Sequence, residues 1–217
     1  MKLFIDSGNI KDIEALVAIG IIDGVTTNPT LLAKEPGDYR ENLKKICQIV
    51  KGPVSGEVTA VDVAGMLQQG REIAKIDQHM IVKVPLTRAG IQACKTLSGE
   101  GIHVNVTLCF SAAQALLAAK AGATFVSPFV GRLDDVGTNG MALIKEIVEI
   151  YNNYDFTTEV LVASCRNPIH VIEAARMGAD IATCPPAVID QLFNHPLTNI
   201  GLEKFLKDWD AAQAVKA

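Results

Sequence analysis

The chain has 217 residues, 49% of them hydrophobic and 20% charged, and carries a formal net charge of −4. Such a composition supplies a large core and argues against disorder, while an acidic balance without a basic stripe argues against nucleic acid as a partner. No apolar segment approaches the roughly 20 residues that span a bilayer, and the apolar run in the opening MKLFIDSGN is too short for a signal peptide; a cytoplasmic protein without a membrane partner is expected.

Along the chain, short Val/Ile-rich runs alternate with longer Ala- and Leu-rich amphipathic stretches. Strands are predicted at 2–7 (KLFIDS), 24–28 (GVTTN), 54–59 (VSGEVT), 79–86 (HMIVKVPL), 103–110 (HVNVTLCF), 124–131 (TFVSPFVG), 159–165 (EVLVASC) and 180–185 (DIATCP). Helical candidates lie between them, among them REIAKI, GIQACKTLS, SAAQALLAAKAG and a long run that starts after Asn139. Gly122 and Gly178 each close a helix just before a strand. No linker or low-complexity stretch divides the chain, so residues 1–217 are expected to form a single domain. The tail is predicted as a helix over about 199–214, with Leu202, Phe205, Leu206 and Trp209 on one side.

Strands alternating with helices specify parallel βαβ units, and about eight such units close into a single (β/α)8 TIM barrel of the α/β class. A doubly wound open sheet is the competing architecture; the absence of a G-x-G-x-x-G turn after the first strand weakens it only a little.

Alternate residues of a barrel strand face the lumen and the surrounding helices. Leu3 and Ile5 oppose Phe4 and Asp6; Val82 and Val84 oppose Ile81, Lys83 and Pro85. Val104, Val106 and Leu108 oppose His103, Asn105, Thr107 and Cys109; Val126 and Val130 oppose Phe125, Ser127 and Phe129. One face of each strand is aliphatic and suits helix packing. If the other faces share one lumen, Asp6, Asn28, Glu57, Lys83, Asn105, Thr107 and Ser127 converge.

Lys83 is the centre of that set. A lysine is seldom buried without a partner, and an apolar enclosure disfavours its ammonium, so part of the amine is expected to be neutral near pH 7. A neutral amine attacks a carbonyl and forms a Schiff base, an electron sink for cleaving an adjacent carbon–carbon bond. The alternative is a buried ion pair of purely structural value. Asp6, at a strand end, could move a sugar hydroxyl proton as that bond breaks, or cap the helix that follows DSGN. Glu57 and Thr107 could hold the water of imine formation, or Glu57 could pair with Lys83. Asn28 in TTNPT and Asn105 could orient substrate hydroxyls, or serve a turn and a core hydrogen bond.

Arg132 and Arg166 follow late strands, where barrel enzymes often bind phosphate, and a guanidinium suits phosphate geometry. An ion pair of Arg132 with Asp134 or Asp135 is the alternative. Ser164 could add a hydroxyl. The five cysteines form no C-x-x-C pair and the four histidines no H-x-H or H-E-x-x-H spacing, so no metal is expected, and a lysine Schiff base requires no organic cofactor.

The motifs TTNPT, IVKVPLT, NVTLCFS, SPFVGR and SCRNP, in this order and spacing, resemble those of the transaldolase family, specifically the short branch that also contains fructose-6-phosphate aldolases. The resemblance covers nearly the whole chain. It implies a (β/α)8 barrel with a Schiff-base lysine at Lys83, an acid/base aspartate at Asp6, and a water-holding pair at Glu57 and Thr107. It also implies substrate contacts by Asn28, Asn105 and Ser127, with Arg132 and Arg166, and more weakly Ser164, at the phosphate. Within the branch, aldolases that release free dihydroxyacetone look to have glutamine at the position of Glu57 and tyrosine at that of Phe129, so both residues here resemble transaldolase. The expected substrates are sugar phosphates. Fructose-6-phosphate aldolase or a non-catalytic sugar-phosphate-binding barrel are the alternatives. The short members form rings of five that pair into ten, so a homo-oligomer, pentamer or decamer, is expected to use the C-terminal helix.

Overall fold

A computed structural model describes residues 1–216; Ala217, the last residue of the single-domain expectation, lies outside the described residues. The chain opens with β1 (Lys2–Asp6), α1 (Ile10–Val17), β2 (Gly24–Thr26), the short α2 (Pro29–Leu32) and α3 (Tyr39–Val50). It continues through β3 (Val54–Glu57), α4 (Val63–Ala74), β4 (Met80–Pro85), α5 (Arg88–Gly99), β5 (Val104–Cys109) and α6 (Ala112–Ala121). Next come β6 (Phe125–Pro128), α7 (Val130–Asp135), α8 (Gly140–Asn153), β7 (Glu159–Val162) and α9 (Pro168–Met177). The chain finishes with β8 (Ile181–Cys184), α10 (Pro186–Phe193) and α11 (Pro196–Lys216).

All eight strands pair in parallel, each with its sequence neighbour, and β1 pairs with β8 through Lys2↔Ile181 to Ile5↔Cys184. That pairing closes the sheet into a (β/α)8 barrel and rules out the doubly wound alternative. Each strand is shorter than its apolar run, because the last residues of most runs leave the ladder to form the loops above the barrel.

Helix starts follow side-chain chemistry. The side-chain oxygens of Asn9, Asn28, Asp38, Asp62, Thr87, Ser111, Asn139 and Asn167 each accept an amide proton from the first turn of the helix they precede. Asn9, not Asp6, therefore caps the helix after DSGN, and Asp6 is left for another role. At the far ends Gly122 and Gly178 adopt φ of 85° and 82° and close α6 and α9.

Side-chain parity splits the interior in two. Ile5, Val82, Val84, Val104, Val106 and Val126 pack outward against the helices. Phe4, Ile81, Phe125, Leu161 and Ile181 fill the lumen, with Phe4 and Phe125 edge to face at 6.2 Å. A side chain at residue 24 would strike the Phe4 ring, so β2 begins with glycine. This apolar layer plugs the barrel below the polar layer discussed next.

Parity fails at one point. Leu108 has φ of 59° and the β5–β6 register slips between Val106 and Cys109. Such a bulge reverses the alternation, so Cys109 packs into the outer core rather than facing the lumen with Thr107.

α11 is longer than the predicted 199–214. Its Leu202, Phe205, Leu206 and Trp209 are 56–71% exposed, so that apolar side does not pack on its own barrel. No helix among the described residues is long and apolar enough to cross a membrane.

Candidate active site

Strand register brings the chemistry together. Lys83 on β4 lies directly opposite Glu57 on β3 and Asn105 on β5, while Asp6 at the end of β1 lies opposite Thr26 on β2. Asp6 and Glu57 are the last residues of their strands, Thr26 ends β2, and Lys83 and Asn105 lie within β4 and β5 at the same level of the barrel.

Lys83 is 5% exposed and has two partners. Its Nζ donates to the Thr27 carbonyl at 2.9 Å and sits 3.0 Å from Glu57 Oε2. The ammonium is therefore paired rather than enclosed by hydrocarbon alone, and Glu57 is the near acceptor for the proton the amine must lose before it can attack. The ion pair that was the alternative to a catalytic lysine is present, but its cationic partner lines a cavity, where a purely structural pair has no need to be.

Asp6 accepts a hydrogen bond from Thr26 Oγ1 at 2.7 Å, and the Thr26 and Thr183 hydroxyls are also 2.7 Å apart. Thr26 has one proton and gives it to the carboxylate, so Thr183 is the donor to Thr26. Burial raises the Asp6 carboxyl above the usual aspartate range, against the opposing pull of the Thr26 hydrogen bond and of the Lys83 charge. A carboxylate made more basic in this way is better suited to take a hydroxyl proton.

On the β5–β6 side, Ser127 Oγ donates to Asn105 Oδ1 at 2.7 Å and Asn105 Nδ2 donates to Ser55 Oγ at 3.1 Å. Thr107 Oγ1 is buried without a hydrogen-bond partner among the described residues. A buried hydroxyl left unpaired by the protein is costly unless a bound molecule satisfies it.

A cavity of about 190 Å³ opens above these residues. Of the eleven sequence-selected positions, Asp6, Asn28, Lys83, Thr107, Ser127, Phe129, Arg132, Ser164 and Arg166 line it. Glu57 and Asn105 do not. Asn105 lies behind Ser127, its amide bonded to Ser127 and Ser55, and Glu57 lies behind Lys83, where it borders a second cavity of about 450 Å³ with Tyr39, Thr59 and Gln69. Asn28 spends its carbonyl oxygen capping α2, at 2.9 Å from the Leu31 amide, which leaves its NH₂ group for a ligand.

At the cavity rim Arg132 does not pair with Asp134 or Asp135. Its guanidinium lies 4.9 Å from the centre of the Phe129 ring, which Phe110 also meets edge-on at 5.8 Å. Arg166 is the arginine that pairs with Asp135, at 2.9 Å, and Asp134 instead contacts His170. Ser164 is held at φ of 60° and its carbonyl accepts from the Gly131 amide. A side chain at residue 131 would collide with that carbonyl and with Arg166 Nε, so glycine lets the two loops meet.

Thr26, Thr183, Leu161, Ala163, Cys165 and Pro185 also line the cavity and were not among the selected positions. Extending the alternation from Asn28 back through GVTTN, and applying it to IATCP, would have found both threonines. The cysteines offer no competing nucleophile. All five are buried, burial pushes Cys47, Cys94 and Cys109 up to about 12, and a Cys184 hydrogen bond together with burial raises Cys165. No cluster of three or more metal-ligating His, Cys, Asp or Glu side chains occurs among the described residues.

A sequence-family model described as Transaldolase/Fructose-6-phosphate aldolase matches residues 3–216. A protein named Probable transaldolase from Methanococcus vannielii is 58% identical over 211 residues, covering 97% of this chain and 98% of the relative. Proteins of the same name from Kosmotoga olearia and Anaeromyxobacter dehalogenans are 56% and 58% identical, again over 97% of this chain and over 96% and 97% of theirs. Among solved structures, thiamine phosphate pyrophosphorylase from Pyrococcus furiosus superposes with a TM-score of 0.59 at 16% identity over 86% of each chain, a likeness of fold alone.

Proposed function

The chain belongs to the transaldolase/fructose-6-phosphate aldolase family, and from that premise we propose that it is a transaldolase, moving a dihydroxyacetone unit between sugar phosphates through a Schiff base on Lys83. The observation that carries this reading is a buried lysine amine that lines a cavity, backed at 3.0 Å by a carboxylate.

Lys83 gives a proton to Glu57 and attacks the C2 carbonyl of fructose 6-phosphate or sedoheptulose 7-phosphate. Glu57 returns the proton as the carbinolamine loses water, and the unpaired Thr107 hydroxyl holds that water. Asp6 takes the C4 hydroxyl proton as the C3–C4 bond breaks; the bonding electrons pass into the iminium to give an enamine, and a phosphorylated aldose leaves. The enamine carbon then adds to the aldehyde of a second aldose phosphate, Asp6 protonates the new alkoxide, and water releases the product from Lys83. Asn28 and Ser127 orient the hydroxyls, Asn105 holds the Ser127 hydroxyl in place, and Arg132 and Arg166, with Ser164 beside them, take the phosphate.

Phe129 favours transfer over release. Its ring lines the cavity without a hydroxyl, so it cannot help protonate the enamine, which waits for an acceptor. The exposed apolar side of α11 supports assembly into a homo-oligomer; that it is a pentamer or decamer, and cytoplasmic, belongs to the same proposal and rests on the family resemblance.

The test follows glyceraldehyde 3-phosphate release from fructose 6-phosphate with and without erythrose 4-phosphate. Acceptor-dependent release is expected. Equal release without acceptor would make the enzyme an aldolase, and no release under either condition would leave a sugar-phosphate-binding barrel.

A further inference from the structure

Two arginines held 34 positions apart in sequence must meet one phosphate, which raises the question of what fixes their spacing. At the base of the rim, the Val130 and Gly131 amides donate to the Ala163 and Ser164 carbonyls, each at 3.1 Å, and join the start of α7 to the loop after β7. Those bonds stop short of both guanidinium groups. Farther out, the exposed Arg166–Asp135 ion pair aside, the two segments are joined by a buried side chain that does not line the cavity.

That side chain is His170, on the first turn of α9. Its Nδ1 accepts from the Arg166 backbone amide at 3.2 Å, and its Nε2 lies 3.0 Å from Asp134 Oδ2. Accepting from an amide leaves Nδ1 without a proton, so the proton of the neutral ring is on Nε2 and is donated to the Asp134 carboxylate. The other oxygen of Asp134 accepts from the Gly140 amide at 2.9 Å, which anchors the carboxylate to the start of α8. The ring is buried, and the Asn167 cap fixes the backbone that carries it. Asp134 is two residues beyond Arg132 on α7. One imidazole thus ties the backbone of one arginine to the helix that bears the other.

We propose that His170 is a positioning residue for phosphate recognition, acting as a neutral clamp that sets the distance between Arg132 and Arg166; the inference rests on the phosphate role given to those arginines above. The clamp holds the Arg166 backbone but not its guanidinium, which pairs with the exposed Asp135 and is free to exchange that carboxylate for a substrate phosphate. Rigid backbones and a short list of permitted side-chain positions lower the entropy lost when phosphate binds.

The test compares the whole wild-type enzyme with His170→Ala by calorimetric titration with inorganic phosphate, and by kinetics with erythrose 4-phosphate and with unphosphorylated erythrose as acceptors. The phosphate Kd and the KM for erythrose 4-phosphate are expected to rise about tenfold, the scale of one lost hydrogen bond. The kcat and the KM for erythrose should stay unchanged. Asp134→Ala cuts the same link from its exposed end and should give the same selective loss, so a poorly folding His170→Ala leaves the question decidable. Undiminished phosphate binding in either folded variant, or equal losses on both acceptors, would overturn the clamp. Wild-type enzyme that binds no phosphate would instead reject the role assigned to the two arginines.

Discussion

Replacing Lys83 by methionine removes the amine and strands a carboxylate. At the 3.0 Å separation from Glu57, and with an effective dielectric of about 20, Coulomb's law gives a gross attraction of about 5.5 kcal/mol. Desolvation of both groups offsets much of that, yet removing one partner of a buried pair typically costs about 3–5 kcal/mol, because the other charge stays buried alone. A domain stable by about 5–15 kcal/mol survives that loss with a lower unfolding temperature, by about 6–20 °C at this chain length. Glu57→Gln in the Lys83→Met background removes the stranded charge and should recover most of the difference. The assay is thermal unfolding of the wild type, both single variants and the double variant near neutral pH, read as a double-mutant cycle. Borohydride reduction with fructose 6-phosphate, followed by mass measurement, should add a sugar to the wild type and to neither Lys83→Met variant. Coupling below about 0.5 kcal/mol would refute the buried pair. A sugar trapped on Lys83→Met would refute the nucleophile.

Thr107→Val removes a hydroxyl that bonds to no described residue, so turnover should fall about 100-fold while the unfolding temperature holds; a fall of several degrees would reveal a structural partner. Because burial raises the Asp6 carboxyl, the folded state favours its protonated form, and the stability this gives is full below the ordinary value of 3.8 and is lost as pH rises through the raised one. Asp6→Asn should therefore be inactive yet melt higher than wild type at neutral pH, the gap closing as pH falls below 3.8; parallel melting curves at all pH would contradict the buried-carboxylate account. Phe129→Tyr adds a hydroxyl at the cavity wall and should release dihydroxyacetone without acceptor, and strict acceptor dependence in that variant would remove Phe129 as the determinant.

Much of this site was legible because a closed parallel barrel turns strand alternation into geometry. Once Val82 and Val84 face the helices, Lys83 has only the lumen to enter, and the same rule carries Asp6, Thr107 and Ser127 with it. Alternation could not report depth, which is why Glu57 and Asn105, with the right parity, lie behind the cavity wall. Nor could it foresee the Leu108 bulge, a local left-handed residue in a run whose alternation continues without a visible break, which turned Cys109 outward. The pairing of Arg166 with Asp135, and the hold of His170 on Asp134, join loops far apart in sequence, and no local pattern encodes them.

The seam of the barrel also sets the order in which the site comes into being. Ile5 has no neighbour on one side until Cys184 arrives, and Thr26 meets Thr183 only then. During synthesis, at about 5–20 residues per second, β1 must wait for nearly the whole chain to emerge before its second edge is covered. For that interval the nascent protein carries an open, apolar sheet edge, the kind of surface that recruits holding chaperones. Pairing between segments so distant in sequence is also slow to form. Asp6 can bond to Thr26 as soon as β1 and β2 pair, but the relay that runs on to Thr183 is complete only once the seam has closed.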